Sequence, residues 1–295
     1  MTLCVKNNGG LMEILNSIDD LKIYRGDDYP INEFISIKQP TLGQICEYGD
    51  RSYYRMVYTL CSVGADLKWQ LDDIGIDYTQ IQDFDLFCLM LSKGYNAEKT
   101  KILFGDCLDF SKMHLLHNTK LDENVLAQFY KVCPKCGKKE ILNENPMSAQ
   151  IEPSVCDDCQ EEMLLNSFKI DRYVYASMIG VIRKIHRIKR NDEVPGNETT
   201  RKILIEDARD EYEENKNKSG KSHLLSLIST MVNSEGFKRN DQTVFDMKIN
   251  AFMDSVARIG KIKNAGLLLQ SGYSGFGIDL KKLNKEETNW MGDLD

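Results

Sequence analysis

The sequence predicts a mainly α fold: an α-rich N-terminal part with a small β-hairpin, a compact cysteine module in the middle, and an all-helical C-terminal part. Two apolar series carry the helical prediction. Val174, Met178, Val181, Ile185 and Ile188 step by 4, 3, 4 and 3, and so do Phe245, Ile249, Phe252, Val256 and Ile259. Each series lays one apolar stripe along a long helix. The third observation is two C-x-x-C pairs, Cys133/Cys136 and Cys156/Cys159, which interrupt the helical pattern. Together these features divide the chain into 1–129, 130–166 and 167–295.

Along the chain, Leu11–Ser17 is a short helical candidate. Leu21–Arg25 and Glu33–Lys38 read as short strands. In the second of them, Ile35 and Ile37 alternate with Ser36 and Lys38, the period of a half-buried strand. Gly26–Pro30 between them has turn chemistry, so the pair is expected to form the hairpin. Thr41 and Gln44 have capping-box spacing and predict a helix start. Asp50 can cap the next helix, with Tyr54, Val57, Tyr58 and Cys61 on one face. Asp77 or Thr79 can cap another, with Ile81, Phe84, Phe87, Cys88 and Leu91 at helical spacing. Lys101–His117 reads equally as strand or helix, with a turn at Gly105-Asp106. Beyond the cysteines, Thr199–Lys218 reads as a charged helix and Ser222–Val232 as a short apolar one. Gly272–Gly277 reads as a loop before Lys281–Glu287 and Trp290.

The totals narrow the function classes. The chain has 295 residues, of which 42% are hydrophobic, so it can bury a sizeable core. A net charge of −7 argues against a general nucleic-acid binder, which needs a basic surface to displace phosphate counterions. No apolar run reaches the roughly 20 residues that span a bilayer. The opening MTLCVKNNGG lacks the apolar core of a signal peptide. The expectation is a bacterial or host-cell cytoplasmic protein with no membrane partner, in which thiols stay reduced.

Against that background the cysteines point to a metal. Cys133, Cys136, Cys156 and Cys159 form C-x2-C-x19-C-x2-C. A two-residue gap lets both thiolates of a pair face one ion from a tight turn, and four soft ligands suit tetrahedral Zn²⁺. Gly137 supplies the positive φ that such a turn needs after its second cysteine, and Pro134 stiffens it. Lys131, Lys135, Lys138 and Lys139 offset the negative charge of a four-thiolate centre. A redox reading needs a single pair at a helix start, and a disulfide reading conflicts with the reducing compartment. The pattern resembles a zinc ribbon. Its spacer carries no aromatic residue for base stacking, so a bracing or protein-contact role outranks a nucleic-acid one.

Other candidates are weaker. Arg183–Arg190 is the one strong basic run; it lies at a helix end, where positive charge complements the helix dipole. With Lys135, Lys138, Lys139, Arg183, Lys184, Arg187 and Arg190, it defines the surface that a nucleic-acid-binding regulator would use. Lys218–Ser222 ends like a P-loop but lacks the first glycine and the preceding strand, so Ser222 reads as a helix cap. His114, His117, His186 and His223 fall in no catalytic arrangement, and Cys4, Cys46, Cys61, Cys88 and Cys107 read as buried thiols. Nothing in the pattern points to catalysis, and the expectation is a protein that is not an enzyme.

Two segments resemble proteins from the structural-gene modules of phages that infect Gram-positive bacteria. One is Ile35-Ser-Ile-Lys-Gln-Pro-Thr-Leu-Gly-Gln-Ile45, followed by Tyr48-Gly-Asp-Arg-Ser-Tyr53. The other runs from Ile228–Asn233 and Gly236-Phe237 through Phe252–Ile259 to Gly272–Gly275, Ile278–Lys282 and Asn289-Trp290. The second is similar to phage tail-assembly chaperones and related morphogenesis proteins. That resemblance implies a helical, non-enzymatic protein, in the host cytoplasm or carried into the virion. It binds tape-measure-like or other tail proteins, or itself, during assembly. The residues implied for partner binding are Phe252, Val256, Ile259, Tyr273 and Trp290. A zinc ribbon and this length depart from a minimal chaperone.

Overall fold

The computed structural model describes residues 18–91, 94–106, 108–118, 123–146, 152–216, 221–273 and 284–294. The Leu11–Ser17 helix, Cys4, Cys107 and residues 274–283 and 295 lie outside the described residues. The fold is mainly α, with two small antiparallel sheets.

The first element corrects an expectation. Asp20–Arg25 is a helix, α1, and not a strand. Asp19 caps it, its Oδ1 accepting the N–H groups of Leu21 and Lys22 at 3.1 and 3.2 Å, and Gly26 closes it at φ 84°. These end signals outweigh a five-residue apolar alternation. The hairpin is real but shifted along the chain: β1 (Tyr29–Pro30) pairs β2 (Ser36–Ile37), with Tyr29 opposite Ile37. Asn32 holds its turn by accepting the N–H groups of Phe34 and Ile35. Ile35 and Ile37 are both buried, as their alternation predicts.

Helix α2 (Leu42–Tyr48) begins with the predicted capping box: the Gln44 N–H donates to Thr41 Oγ1 at 3.2 Å and the Thr41 N–H donates to Gln44 Oε1 at 2.8 Å. Helix α3 (Asp50–Cys61) buries Tyr53, Tyr54, Met56, Val57, Leu60 and Cys61, while Tyr58 stays exposed. Asp50 does not cap it. Its carboxylate reaches out to accept the Ser222 hydroxyl at 2.6 Å and the His223 N–H at 2.9 Å. Burial pushes the Asp50 pKa up, but the hydrogen bonds to Ser222 and to backbone N–H groups outweigh it and hold the carboxyl below its usual range. Short α4 (Lys68–Asp73) follows. Asp77 closes a local turn with Thr79 instead of capping a helix, and α5 starts later, at Asp83, running to Leu91. Helix α6 (Ala97–Phe104) and strand β3 (His114–Asn118) share the segment whose pattern was ambiguous.

The larger sheet is built around β4 (Glu123–Val132). On one edge β4 pairs with β3 and then with β5 (Lys139–Ile141), and on the other with β6 (Leu164–Ile170). The divisions at 129/130 and 166/167 therefore fall within β4 and β6. Leu126, Tyr130, Phe168 and Ile170 join the same buried cluster as the flanking helices. Phe34 from the hairpin turn stacks on Phe168, with centroids 5.5 Å apart.

Helix α7 (Arg172–His186) is capped by Asp171 and buries Met178, Val181, Ile182 and Ile185. Helix α8 (Glu198–Asn215) buries only Ile205, against Leu71, Tyr78 and Leu86. Helix α9 (Leu225–Val232) has Leu224 and not Ser222 at its cap position; the Leu225 N–H donates to Ser222 Oγ at 3.0 Å from the turn before it. Helix α10 (Ile249–Tyr273) is the longest, and α11 (Lys285–Thr288) follows it. The start of α2 meets the start of α10: the Leu42 N–H donates to the Met247 carbonyl at 2.9 Å and the Ile249 N–H to the Pro40 carbonyl at 3.0 Å. No helix among the described residues is long and apolar enough to cross a membrane.

Candidate metal centre

Two tight turns bring the four cysteines together at the tip of the larger sheet. In the first, the Gly137 N–H donates to the Cys133 carbonyl at 2.9 Å and the Cys133 N–H donates to the Lys138 carbonyl at 2.9 Å. The second repeats the arrangement: the Gln160 N–H donates to the Cys156 carbonyl and the Cys156 N–H to the Glu161 carbonyl, both at 2.8 Å. Each turn closes a short antiparallel pair, Val132 opposite Lys139 in one and Val155 opposite Glu162 in the other. The residue after the second cysteine has positive φ in both, 73° at Gly137 and 59° at Gln160.

The ligand atoms of Cys133, Cys136, Cys156 and Cys159 lie within 4.8 Å of one another, and they could hold a metal ion. Cys136 Sγ and Cys156 Sγ are 3.7 Å apart, and all four thiols are free. Cys133 and Cys156 are buried with Met163, whereas Cys136 is exposed. The N–H groups of Cys136 and then Lys135 hold the Cys133 thiol down, at about 7. Burial pushes Cys156 up, and hydrogen bonding with Cys136, followed by burial, pushes Cys159 up to about 12. One thiol is thus poised to ionise near neutrality, and binding a cation would draw protons from the others.

Supporting contacts fix the two turns. Lys131, a buried cation, donates to the Glu152 carbonyl at 2.7 Å and tethers the chain that leads into the second pair. Lys138 reaches Asp158 at 2.9 Å, crossing from one turn to the other, and Lys135 lies 4.0 Å from Glu161. Lys139 sits over the Phe34 ring, 4.9 Å from its centroid. Sequence reading missed Gln160 and Phe34. The first is not a glycine, and the second lies about a hundred residues from the sheet it braces. Only the matching offset of Gln160 from its cysteine pair could have pointed to a positive-φ position.

The basic candidates are scattered and engaged. Arg183 donates to the Cys61 carbonyl, Lys184 pairs with Asp20 at 2.6 Å, and Arg187 pairs with Asp254. Arg190 grips Asp83 with two bonds of 3.0 and 3.1 Å. Of the partner-binding candidates, Phe252 is fully buried, and Val256 and Ile259 pack half-buried against the core. Tyr273 and Trp290 are 80% and 49% exposed. Comparisons of this chain with protein families, with curated proteins and with solved structures returned no match.

The two positive-φ positions should respond in opposite ways. A left-handed backbone costs a side-chain-bearing residue roughly 1–2 kcal/mol, so Gly137→Ala is expected to lower stability by about that much. Gln160→Gly relieves the same strain but adds unfolded-chain entropy, and it is expected to gain less than about 1 kcal/mol. Thermal unfolding of the two variants measures both. Equal losses at the two positions would contradict the equivalence of the turns.

Proposed function

We propose that this chain is a phage or prophage morphogenesis protein that binds other proteins during tail assembly, with a zinc ribbon bracing its middle. The zinc assignment is supported by geometry. A tetrahedron with Zn–S bonds of about 2.3 Å has sulfur–sulfur edges of about 3.8 Å. The Cys136–Cys156 separation of 3.7 Å fits such an edge. In this reading Cys133, Cys136, Cys156 and Cys159 are the four ligands. The ion supplies folding energy rather than chemistry, because four protein ligands leave no open position.

The observation that carries the protein-binding reading is the far half of α10. Over 25 residues this helix extends roughly 37 Å, yet Ala265 is its only buried residue beyond Phe252. Ile262, Leu267 and Tyr273 stand exposed along it, next to the segment carrying Trp290 and Met291. Exposed apolar residues along one helix suit a helix-to-helix contact with a coiled-coil partner. The basic candidates favour this reading over a nucleic-acid regulator, because their charges already meet carboxylates, carbonyls or a ring within the chain.

The test is co-expression with a tape-measure-like coiled-coil tail protein. The chain is expected to keep that protein soluble and to co-purify with it. Leu267→Glu combined with Tyr273→Glu is expected to abolish retention without moving the unfolding midpoint. Retention that ignores the double variant, or nucleic-acid binding that falls steeply with salt, would overturn the reading.

A further inference from the structure

We propose that the groove between α1, the end of α7 and the first half of α10 is a docking site for an acidic polypeptide segment of a partner protein. The groove encloses about 1340 Å3. Arg183, Lys184, Arg187, Lys189, Arg258 and Lys261 line it, against the carboxylates of Asp20, Asp254 and Asp293. On a chain of net charge −7, this is a concentration of positive charge. Two of those carboxylates are already neutralised, Asp20 by Lys184 and Asp254 by Arg187. Lys189, Arg258 and Lys261 form no ion pair among the described residues.

What two of these cations meet instead is peptide backbone. Arg258 Nη1 donates to the carbonyls of Trp290 and Gly292, both at 2.8 Å. Lys261 donates to the Asp293 carbonyl, and Arg187 Nη1 to the Leu294 carbonyl at 3.1 Å. One rim of the groove therefore already clamps a stretch of peptide, residues 290–294 of the same chain. The opposite wall is α1, where Leu21 and Tyr24 are 80% and 60% exposed.

This mixture selects a polypeptide over a polyphosphate. Leu21, Tyr24, Ile188 and Ala257 interleave with the cations, and a phosphate backbone would leave that apolar wall without a partner. A peptide with carboxylates spaced by apolar side chains satisfies both kinds of lining, and a carboxylate is a stronger acceptor for Arg258 than a peptide carbonyl. The inference rests on the protein-binding reading only in taking a polypeptide as ligand; it needs neither the phage setting nor the metal.

The experiment is fluorescence anisotropy of the full chain, at low salt, with a labelled peptide in which Glu alternates with Leu and Ser. Binding is expected, weakened about tenfold by Gln in place of Glu and by Arg258→Glu with Lys261→Glu. Lys189→Glu breaks no hydrogen bond or ion pair among the described residues and is expected to weaken binding in the same direction. Equal binding of the Gln peptide, or more effective competition by oligothymidylate than by unlabelled peptide, would overturn the assignment. So would displacement by inorganic phosphate alone. If both sets of variants leave binding unchanged while the chain still retains its tail partner, the groove is wrong and the assembly reading stands.

Discussion

Purified without chelator, the chain is expected to carry one zinc per molecule, and Cys133→Ser with Cys156→Ser is expected to abolish it. Those two cysteines are the buried members of the cluster, one from each turn, so the pair of substitutions removes half the ligands and opens both turns. Four-thiolate zinc contributes on the order of 10 kcal/mol of apparent folding energy in isolated fingers. Here the loss should stay local. The base of the sheet is held by Tyr130, Phe168 and Ile170 in the main core and by the Phe34 stack, none of which touches the cysteines. Among the described residues, the buried apolar cluster of the tip is Cys133, Cys156 and Met163, with Cys159 packed against it. Metal-free protein is expected to keep its helical circular dichroism and to become open to protease between Cys133 and Leu164. Elemental analysis and limited proteolysis measure this. A wild-type chain without metal, or one whose proteolysis is unchanged by chelator, would remove the ribbon from the reading.

Legibility in the sequence tracked how local each determinant is. The capping box at Thr41 and Gln44 involves neighbours in one turn, and it formed as read. The stripes depend on a repeat within one helix and were readable from Val174 to Ile185 in α7 and from Ile249 to Ile259 in α10; Ile188 falls just past the end of α7, and Phe245 lies in a separate 3-10 turn before α10, where it is exposed. The cysteine cluster was readable because metal geometry ties residue type to short spacing. Asp50 is the opposite case. Its position suggests a cap, but its acceptor sites are taken by Ser222 and His223 from the far end of the chain. Leu21–Arg25 was misread because five residues are too few for either period to declare itself, and Asp19 with Gly26 settled it for helix. The basic run had charge but no visible partners. Asp20, Asp83 and Asp254 are scattered through the sequence, and only folding brings them to it. Strand β4 was hidden for a related reason. It is paired on both edges, and its burial runs almost without a break instead of alternating.

The same long-range pairing produces the second large effect, which is expected from His186. This residue is sealed against α3. Its Nδ1 lies 2.7 Å from the Ile182 carbonyl, which can only accept, so Nδ1 carries the proton. Nε2 must then accept from the Tyr53 hydroxyl, 2.7 Å away. The site is built for neutral imidazole: the rings of Tyr53 and Tyr54 are its aromatic neighbours, and no carboxylate among the described residues bonds to it. Burial depresses the His186 pKa to about 4, with the Ile182 bond opposing it only in part. The unfolded chain, near 6.5, takes up the proton first as pH falls. Stability from this group is therefore complete above about 6.5 and is lost as pH falls from there to about 4. At about 1.4 kcal/mol per pK unit the gap amounts to roughly 3 kcal/mol, of which about 2 is gone by pH 5. Urea unfolding at pH 7 and pH 5 is expected to show that loss in the wild type. His186→Gln keeps polar atoms in the site without titrating, and its stability should differ much less between the two pH values. Matching pH dependence in wild type and variant would show that the buried imidazole is not its source.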